Sequence, residues 1–268
     1  MKTCLIALFL CAASWLPQAM AATPTDDEKD FQLYRKAADQ GNAIAQWNLG
    51  VFYADGRGVP KDEAEAAKWY RKAADQGYAP AQFELGIRYE KGRGVPKNEA
   101  EAVKWFRKVA DQGFAAAQFK LGILYEEGRG VPKNAAEAVK WFRKAADQGF
   151  AQAQSHLGYV YATGRRGFLK FEIFGPDLVD KDEAEAVKWY RKAADQGNGY
   201  AQHCLGNMYA NGRGVPKDET EAYKWYLLAG AQGLDYAKSS ISSIERKIKP
   251  AQKAEGQRRA TEWKPQKP

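Results

Sequence analysis

Apolar positions near residue 50 are spaced for one face of a helix. Ala45, Leu49 and Tyr53 are four residues apart, which places their side chains on the same side of an α-helix. Gly56 predicts the end of that helix, because glycine adopts the left-handed conformation of a helix terminus without a steric penalty. The following segment, Arg-Gly-Val-Pro at 57–60, favours a connection.

A second helix is predicted directly after this connection. Asp62 and Glu65 have the spacing of a capping box, in which each side chain accepts a hydrogen bond from an otherwise unpaired backbone amide. Trp69 and Tyr70 anchor the apolar stripe of this helix, and Gly77 ends it. The same capping pattern recurs four more times, as Asn98 with Glu101, Asn134 with Glu137, Asp182 with Glu185, and Asp218 with Glu221.

The two-helix pattern belongs to an internal repeat. The segment 68–77 returns almost unchanged from Lys104, Lys140 and Lys188, and more loosely from Lys224. The repeated tryptophan recurs every 36 residues, except between Trp141 and Trp189, where the interval of 48 indicates an insertion of 12 residues. A fixed period of this length is typical of a solenoid, in which each unit buries its apolar face against its neighbours. Solenoids present extended surfaces, so binding is the expected type of function.

The repeat resembles a known family. The pattern Ala-x-x-x-Leu-Gly-x-x-Tyr-x-x-Gly-x-Gly-Val, followed by Ala-x-x-Trp-Tyr/Phe-x-x-Ala-Ala-x-x-Gly, is similar to the Sel-one-like repeat, a relative of the tetratricopeptide repeat. The resemblance implies an all-α fold, a right-handed α/α superhelical solenoid, that serves as a scaffold or adaptor for other proteins. For exported bacterial members it also implies roles in envelope complexes or in contact with a host.

The domain boundaries follow from the same pattern. We expect a half-unit at 31–42, five units at 43–78, 79–114, 115–150, 151–198 and 199–233, and a capping helix at 234–248 that shields the last apolar face. Residues 1–21 resemble a cleavable signal peptide, with Lys2, an apolar run and Ala19-Met20-Ala21 as the cleavage motif. The solenoid domain is therefore assigned to 22–248, and the protein is expected in the periplasm or outside the cell. No segment has the roughly 20 apolar residues of a spanning helix.

Charge and cysteine content narrow the picture further. The net charge is +8, and residues 249–268 contain six basic against two acidic residues, which predicts a basic disordered tail. Weak contact of this tail with an anionic surface is an open alternative to plain solvation. Nucleic-acid binding is disfavoured, because no basic stripe with interleaved aromatics recurs on one helical face. Cys204 is the single cysteine after the predicted cleavage site, so no intramolecular disulfide is expected.

Candidate binding positions are those that vary while the framework stays fixed. In tetratricopeptide-like arrays the first helix of each unit lines a concave groove, and two positions flanking the recurring leucine vary between units. The earlier series is Trp47, Phe83, Phe119, Ser155 and His203, and the later one is Val51, Ile87, Ile123, Tyr159 and Asn207. The first half of this groove is apolar and suits an extended peptide or an amphipathic helix. The alternative is that these side chains pack between adjacent first helices.

The insertion in the fourth unit is a second candidate. It contains Phe168, Leu169, Phe171, Ile173 and Phe174, more large apolar side chains than an exposed loop usually carries. The loop either folds back onto the solenoid or docks a partner, with Phe171 and Phe174 as the expected contacts.

Enzyme activity is not expected. His156 and His203 are the only histidines, and neither has a carboxylate at metal-ligand spacing in the sequence. Nucleophile-elbow, Ser-x-x-Lys and phosphate-binding motifs are also missing, so no cofactor or metal is predicted. The alternative is a cell-wall-directed ligand binder or β-lactamase-like hydrolase, as suggested for cysteine-rich relatives. The lack of the paired cysteines of that branch weakens this alternative.

Overall fold

The computed structural model describes residues 25–164 and 180–266, and all regular elements in these ranges are helices. They are α1 (Asp26–Asp39), α2 (Ala43–Asp55), α3 (Glu63–Asp75), α4 (Ala79–Lys91), α5 (Glu99–Asp111), α6 (Ala115–Glu127), α7 (Ala135–Asp147), α8 (Ala151–Thr163), α9 (Glu183–Asp195), α10 (Gly199–Asn211), α11 (Glu219–Ala231), α12 (Asp235–Glu245) and α13 (Pro250–Glu262). Each helix from α1 to α11 packs against the next along the chain, and α13 packs against α11. The predicted all-α superhelical solenoid is confirmed.

The helices pair into units 1 to 5, which are α2–α3, α4–α5, α6–α7, α8–α9 and α10–α11. The first helix of each unit begins at the residue that the repeat pattern predicted: Ala43, Ala79, Ala115, Ala151 and Gly199. Gly56 has φ +74 and ends α2 in the left-handed conformation, as expected. We call the surface formed by α2, α4, α6, α8 and α10 the first-helix face.

Each predicted capping box forms only the bond from the first residue's side chain, and the return bond from the glutamate is missing. Asp62 does cap α3, because its carboxylate accepts hydrogen bonds from the amides of Ala64 and Glu65. The Glu65 side chain does not return the bond but pairs with Lys68 at 2.7 Å. The reason is that the Asp62 amide already donates to the carbonyl of Tyr53, at 2.8 Å, which closes the hairpin between the two helices of the unit. The other four units repeat this arrangement at 2.9 to 3.0 Å.

The repeated tryptophans form the centre of the packing. Each indole is almost completely buried, and in units 1 to 4 a lysine three residues later lies over the ring, with its Nζ atom 3.7 to 4.2 Å from the centroid. Two residues after the tryptophan, an arginine donates a hydrogen bond to a tyrosine hydroxyl of the next unit, as Arg71 does to Tyr89. These side chains therefore link each unit to the following one.

Glutamine side chains provide a second link between units. Gln118 of α6 is buried, and its Nε2 donates to the Ala110 carbonyl at the end of the preceding unit at 3.1 Å. Its Oε1 accepts from Gln148 at the end of its own unit, at 2.7 Å. Equivalent pairs occur in all five units. A buried amide with both groups bonded fixes the register of neighbouring units.

The two ends of the described chain differ from the expectation. The predicted half-unit at 31–42 is part of a longer helix, α1, which starts at Asp26 because Thr25 and Glu28 form a complete capping box. The predicted disorder of residues 249–268 is wrong over Pro250–Glu262, which form α13. This helix is held on α11 by the close approach of Gly256 to Tyr223 and by an ion pair of Arg259 with Glu221 at 3.1 Å. The cap at 234–248 is thus formed by α12 and extended by α13.

Candidate functional site

The aromatic residues that precede the recurring leucine lie on the first-helix face and are half-buried. The Trp47 ring contacts Tyr78, the residue before α4, with centroids 6.1 Å apart. Phe119 makes the equivalent contact with Phe150 at 5.6 Å. Phe83 packs on Phe106 of its own unit at 5.3 Å. Part of each ring is therefore used for packing between helices, and part faces solvent.

The later series of candidate residues occupies the same face. Val51, Ile87, Ile123 and Tyr159 are all half-buried, and each packs against a buried cluster beneath it. The candidates of units 1 to 3 and Tyr159 thus occupy equivalent places on successive first helices, and we call them together the apolar strip. Ser155, the fourth member of the earlier series, is buried. Phe171 and Phe174 lie outside the described residues.

Two exposed apolar side chains extend this strip at its edge. Ile44, near the start of α2, is 55% exposed, and Phe114, just before α6, is 48% exposed. Phe114 is the counterpart of Tyr78 and Phe150, which are both half-buried. Neither residue was predicted as a binding position, because each lies more than two residues before the recurring leucine of its unit. The sequence signal for this edge was the large apolar residue that recurs at the unit boundaries, as Tyr78, Phe114 and Phe150.

Charged groups between first helices are paired within the protein. Lys120 of α6 bonds Glu90 of α4 at 2.9 Å, and Arg129 bonds the same carboxylate at 2.9 Å. His156 of α8 lies 3.2 Å from Glu126 of α6. The carboxylate that was missing around His156 in the sequence therefore comes from the neighbouring unit, 30 residues earlier. Because these groups pair with one another, this region of the strip has no excess of positive or of negative charge.

The comparison with known protein families matches this architecture. Residues 21–42, 43–78, 79–114, 115–150, 151–170, 172–198 and 199–234 each match the Sel1 repeat, so the matches cover most of the chain. The chain belongs to the Sel1 repeat family. The two matches at 151–170 and 172–198 divide the longer fourth unit, in agreement with an insertion there.

Solved Sel1 repeat structures are similar to this one. A Sel1 repeat protein from Oxalobacter formigenes is 36% identical, with a TM-score of 0.68, and the match covers 91% of this chain and 100% of that protein. The protein c5321, a protective antigen present in uropathogenic Escherichia coli strains, is 32% identical with a TM-score of 0.50, over 87% of this chain. The chain matches 56% of the length of c5321. No curated protein is significantly similar to the present chain.

The second histidine of this Sel1 repeat array lies in a small polar contact at the other end. His203 Nε2 is 3.0 Å from the Ser240 hydroxyl of α12, and its ring stacks edge-on to Tyr236 with centroids 4.6 Å apart. Burial lowers the pKa of His203. Its position between α10 and α12 gives it a role in attaching the cap to unit 5.

Other site types find little support among the described residues of this Sel1 repeat chain. Over 25–164 and 180–266, no three His, Cys, Asp or Glu side chains are arranged to hold a metal ion. In the same ranges, every helix is too short or too polar to cross a bilayer. Burial raises the pKa of the Cys204 thiol, and its neighbours are Tyr200 and Tyr190, so the thiol is a packed, protonated side chain.

Proposed function

We propose that this chain is an adaptor that binds a peptide or protein segment along the first-helix face of units 1 to 3. Sel1-repeat proteins generally mediate protein–protein interaction, and the scaffold family is typically non-enzymatic. Five consecutive units stack here into one continuous surface. The proposal assigns the interaction to a defined part of that surface.

The exposed edge of the apolar strip carries the proposal. Phe114 is 48% exposed, whereas its counterparts in the flanking units, Tyr78 and Phe150, are less exposed because they pack against neighbouring aromatics. Tyr78 and Phe150 pack on Trp47 and Phe119, the aromatic residues that precede the recurring leucine, and these rings form the apolar floor of the face. Burial of an exposed aromatic against an apolar floor is the arrangement found at the centre of protein interfaces, where a few such residues contribute most of the binding energy.

The chemistry of the floor indicates the kind of partner. Lys120, Glu90 and Arg129 satisfy one another, so a strongly charged ligand would find no unpaired partner among them. An apolar strip of this kind fits an amphipathic helix or an extended segment with two apolar anchors, one near Ile44 and one near Phe114. We therefore expect the partner to present apolar side chains.

The experiment uses edge residues, because their replacement does not open the core. Substitution of Trp47, Phe83 or Phe119 would disturb packing and binding together. The double variant Ile44→Ser/Phe114→Ser removes only exposed apolar groups. Peptides selected from a display library on the immobilised full chain should bind this variant at least about tenfold more weakly, the loss expected from roughly 1.4 kcal/mol.

The control is Leu33→Ser, which removes an apolar group that is 67% exposed on α1, away from this face. It should bind the selected peptides like the unchanged protein. Equal binding by all three proteins, with unchanged thermal unfolding, would refute the assignment of this face. Equal weakening by the control would show that the peptides respond to general surface hydrophobicity instead.

We also propose that the protein is exported, in keeping with the signal-like residues 1–21, and that its basic C-terminal residues touch anionic surfaces only weakly. Expression in a bacterial host followed by mass spectrometry of the recovered protein tests export. A chain that starts at Ala22 supports export, and a chain that retains Met1 in the cytosolic fraction contradicts it.

A further inference from the structure

Unit 5 departs from the other units at two positions around its tryptophan. Units 1 to 4 have arginine and lysine two and three residues after the tryptophan, as in Arg191 and Lys192, whereas unit 5 has Leu227 and Leu228. In units 1 to 4 the lysine covers the indole. In unit 5, Leu228 and Trp263 from the end of the chain both pack against the cluster that contains Trp225, and Lys224, the residue before the tryptophan, lies over its ring at 4.2 Å. The departure places apolar side chains beside the indole in unit 5, where the other units have a basic pair.

The segment that occupies this surface is extended. Helix α13 ends at Glu262, and Trp263 has φ −67 and ψ 138. Its ring meets Trp225 edge-on, with centroids 6.4 Å apart and an interplanar angle of 72°. Three residues later, the Gln266 amide donates a hydrogen bond of 2.7 Å to the Asp195 carbonyl at the end of α9. An aromatic anchor followed by a main-chain hydrogen bond is how grooves recognise extended peptides.

The preceding helix completes the enclosure. The ion pair of Lys224 with Glu221 is only 14% and 12% exposed, whereas the lysines at this position in units 1 to 4 are 68 to 69% exposed. Arg259 of α13 also bonds Glu221. A Cβ on Gly256 would lie 2.8 Å from the Tyr223 ring, so glycine permits the close contact with α11. The surface of unit 5 is therefore shaped to receive this part of the chain.

We propose that this surface of unit 5 is a peptide-binding site for an extended Trp-x-Pro-x segment. Residues Trp263-Lys264-Pro265-Gln266 are its resident ligand, and the same segment of a second copy of the chain can take their place. The site is separate from the first-helix face, and it is closed in the single chain because the resident segment is tethered beside it. Exchange of the segment between two copies would join them end to end.

The test is peptide binding to a full-length variant with a vacated site. In Trp263→Ala the anchor is removed, while α13 keeps its contacts through Gly256 and Arg259. A fluorescein-labelled peptide of residues 260–268 should bind this variant saturably in fluorescence anisotropy. A tethered ligand has an effective concentration on the order of 1 mM, so the unchanged protein should bind a peptide with a Kd of about 0.1 mM roughly tenfold more weakly.

Two further variants locate the site. Leu228→Lys in the Trp263→Ala protein restores the lysine of the other units and should abolish binding. Leu33→Lys in the same protein makes the same change on exposed α1 and should leave binding intact. If Trp263→Ala is poorly folded in circular dichroism, Trp263→Leu keeps an apolar side chain and serves in its place.

The proposal is overturned if the vacated variant binds the peptide no better than the unchanged protein. It is also overturned if a peptide with alanine in place of the tryptophan binds equally well. Equal losses with Leu228→Lys and Leu33→Lys would show that added charge, rather than the unit 5 surface, controls binding.

Discussion

The contact between Gly122 and Phe142 gives a quantitative test of how the two helices of a unit pack. Gly122 follows the recurring leucine in α6, and a Cβ added there would lie 2.5 Å from Cε1 and 2.6 Å from Cδ1 of Phe142. The Phe142 ring is 1% exposed and is held by Phe119 and His156, with centroids 5.6 and 4.2 Å away. It therefore has little room to move away from an added methyl group.

Two opposing effects set the magnitude for Gly122→Ala. Alanine stabilises a helix interior by about 1 kcal/mol relative to glycine. Overpacking a rigid core costs about 1 to 3 kcal/mol, and the contact here is about 1 Å too short, which favours the upper part of that range. We expect a net loss of about 1 to 2 kcal/mol in the free energy of unfolding.

The sign should reverse once the ring is removed. In a Phe142→Leu background the steric conflict disappears, so Gly122→Ala should stabilise that protein by up to about 1 kcal/mol. The double-mutant cycle consists of the unchanged protein, Gly122→Ala, Phe142→Leu and the double variant, all full-length. Their urea unfolding is monitored by far-UV circular dichroism. Gly113→Ala is the control: its φ of +95 makes alanine unfavourable in both backgrounds. An equal loss for Gly122→Ala in both backgrounds would refute the proposed contact.

Three further expectations concern caps, cation–π contacts and pH. Asn134→Ala should destabilise the protein by about 1 kcal/mol in urea unfolding, because the Glu137 amide loses its acceptor, whereas Asn134→Asp should keep most of it. Lys108→Gln should cost about 0.5 to 1 kcal/mol through loss of its contact with the Trp105 ring. The cost should vanish in a Trp105→Leu background, which has no ring, and a cost that persists there would contradict this cause. Burial lowers the pKa of His203 in the folded protein, whereas in the unfolded chain the imidazole keeps its usual pKa of about 6.5. Just below that pH the unfolded chain therefore binds a proton that the folded protein does not bind. The thermal midpoint should therefore fall as pH drops below that value, and His203→Gln should reduce this fall; an unchanged pH profile would contradict it.

The repeat frame could be predicted from the sequence because local signals repeat in it. Glycine at the helix ends, asparagine or aspartate before the second helices and the tryptophan spacing each act over a few residues. They placed the starts of all five units correctly. The roles of the candidate binding residues could not be predicted in the same way, because Trp47, Phe83 and Phe119 each share one ring between packing and solvent.

Partners that depend on how separate helices meet could not be predicted in the same way. Glu65 turns to Lys68 because the Asp62 amide is already bonded to Tyr53, and this depends on how two helices meet. His156 obtains its carboxylate from Glu126 of the previous unit for the same reason. The helix α13 was missed because a basic composition suggested solvation. The exchange of arginine and lysine for Leu227 and Leu228 was the overlooked sign that something covers unit 5.

The bond that closes each hairpin has a consequence for how this fold tolerates change. The sequence between α8 and α9 is 12 residues longer than in the other units, yet the Asp182 amide still donates to the Tyr161 carbonyl at 2.9 Å and Gln196 still donates to Gln154 at 2.8 Å. The cost of closing a flexible loop rises by only about 0.6 kcal/mol for each doubling of its length. Inserted sequences, such as an epitope or a fluorescent reporter, could therefore be grafted at this junction while the neighbouring units keep their spacing.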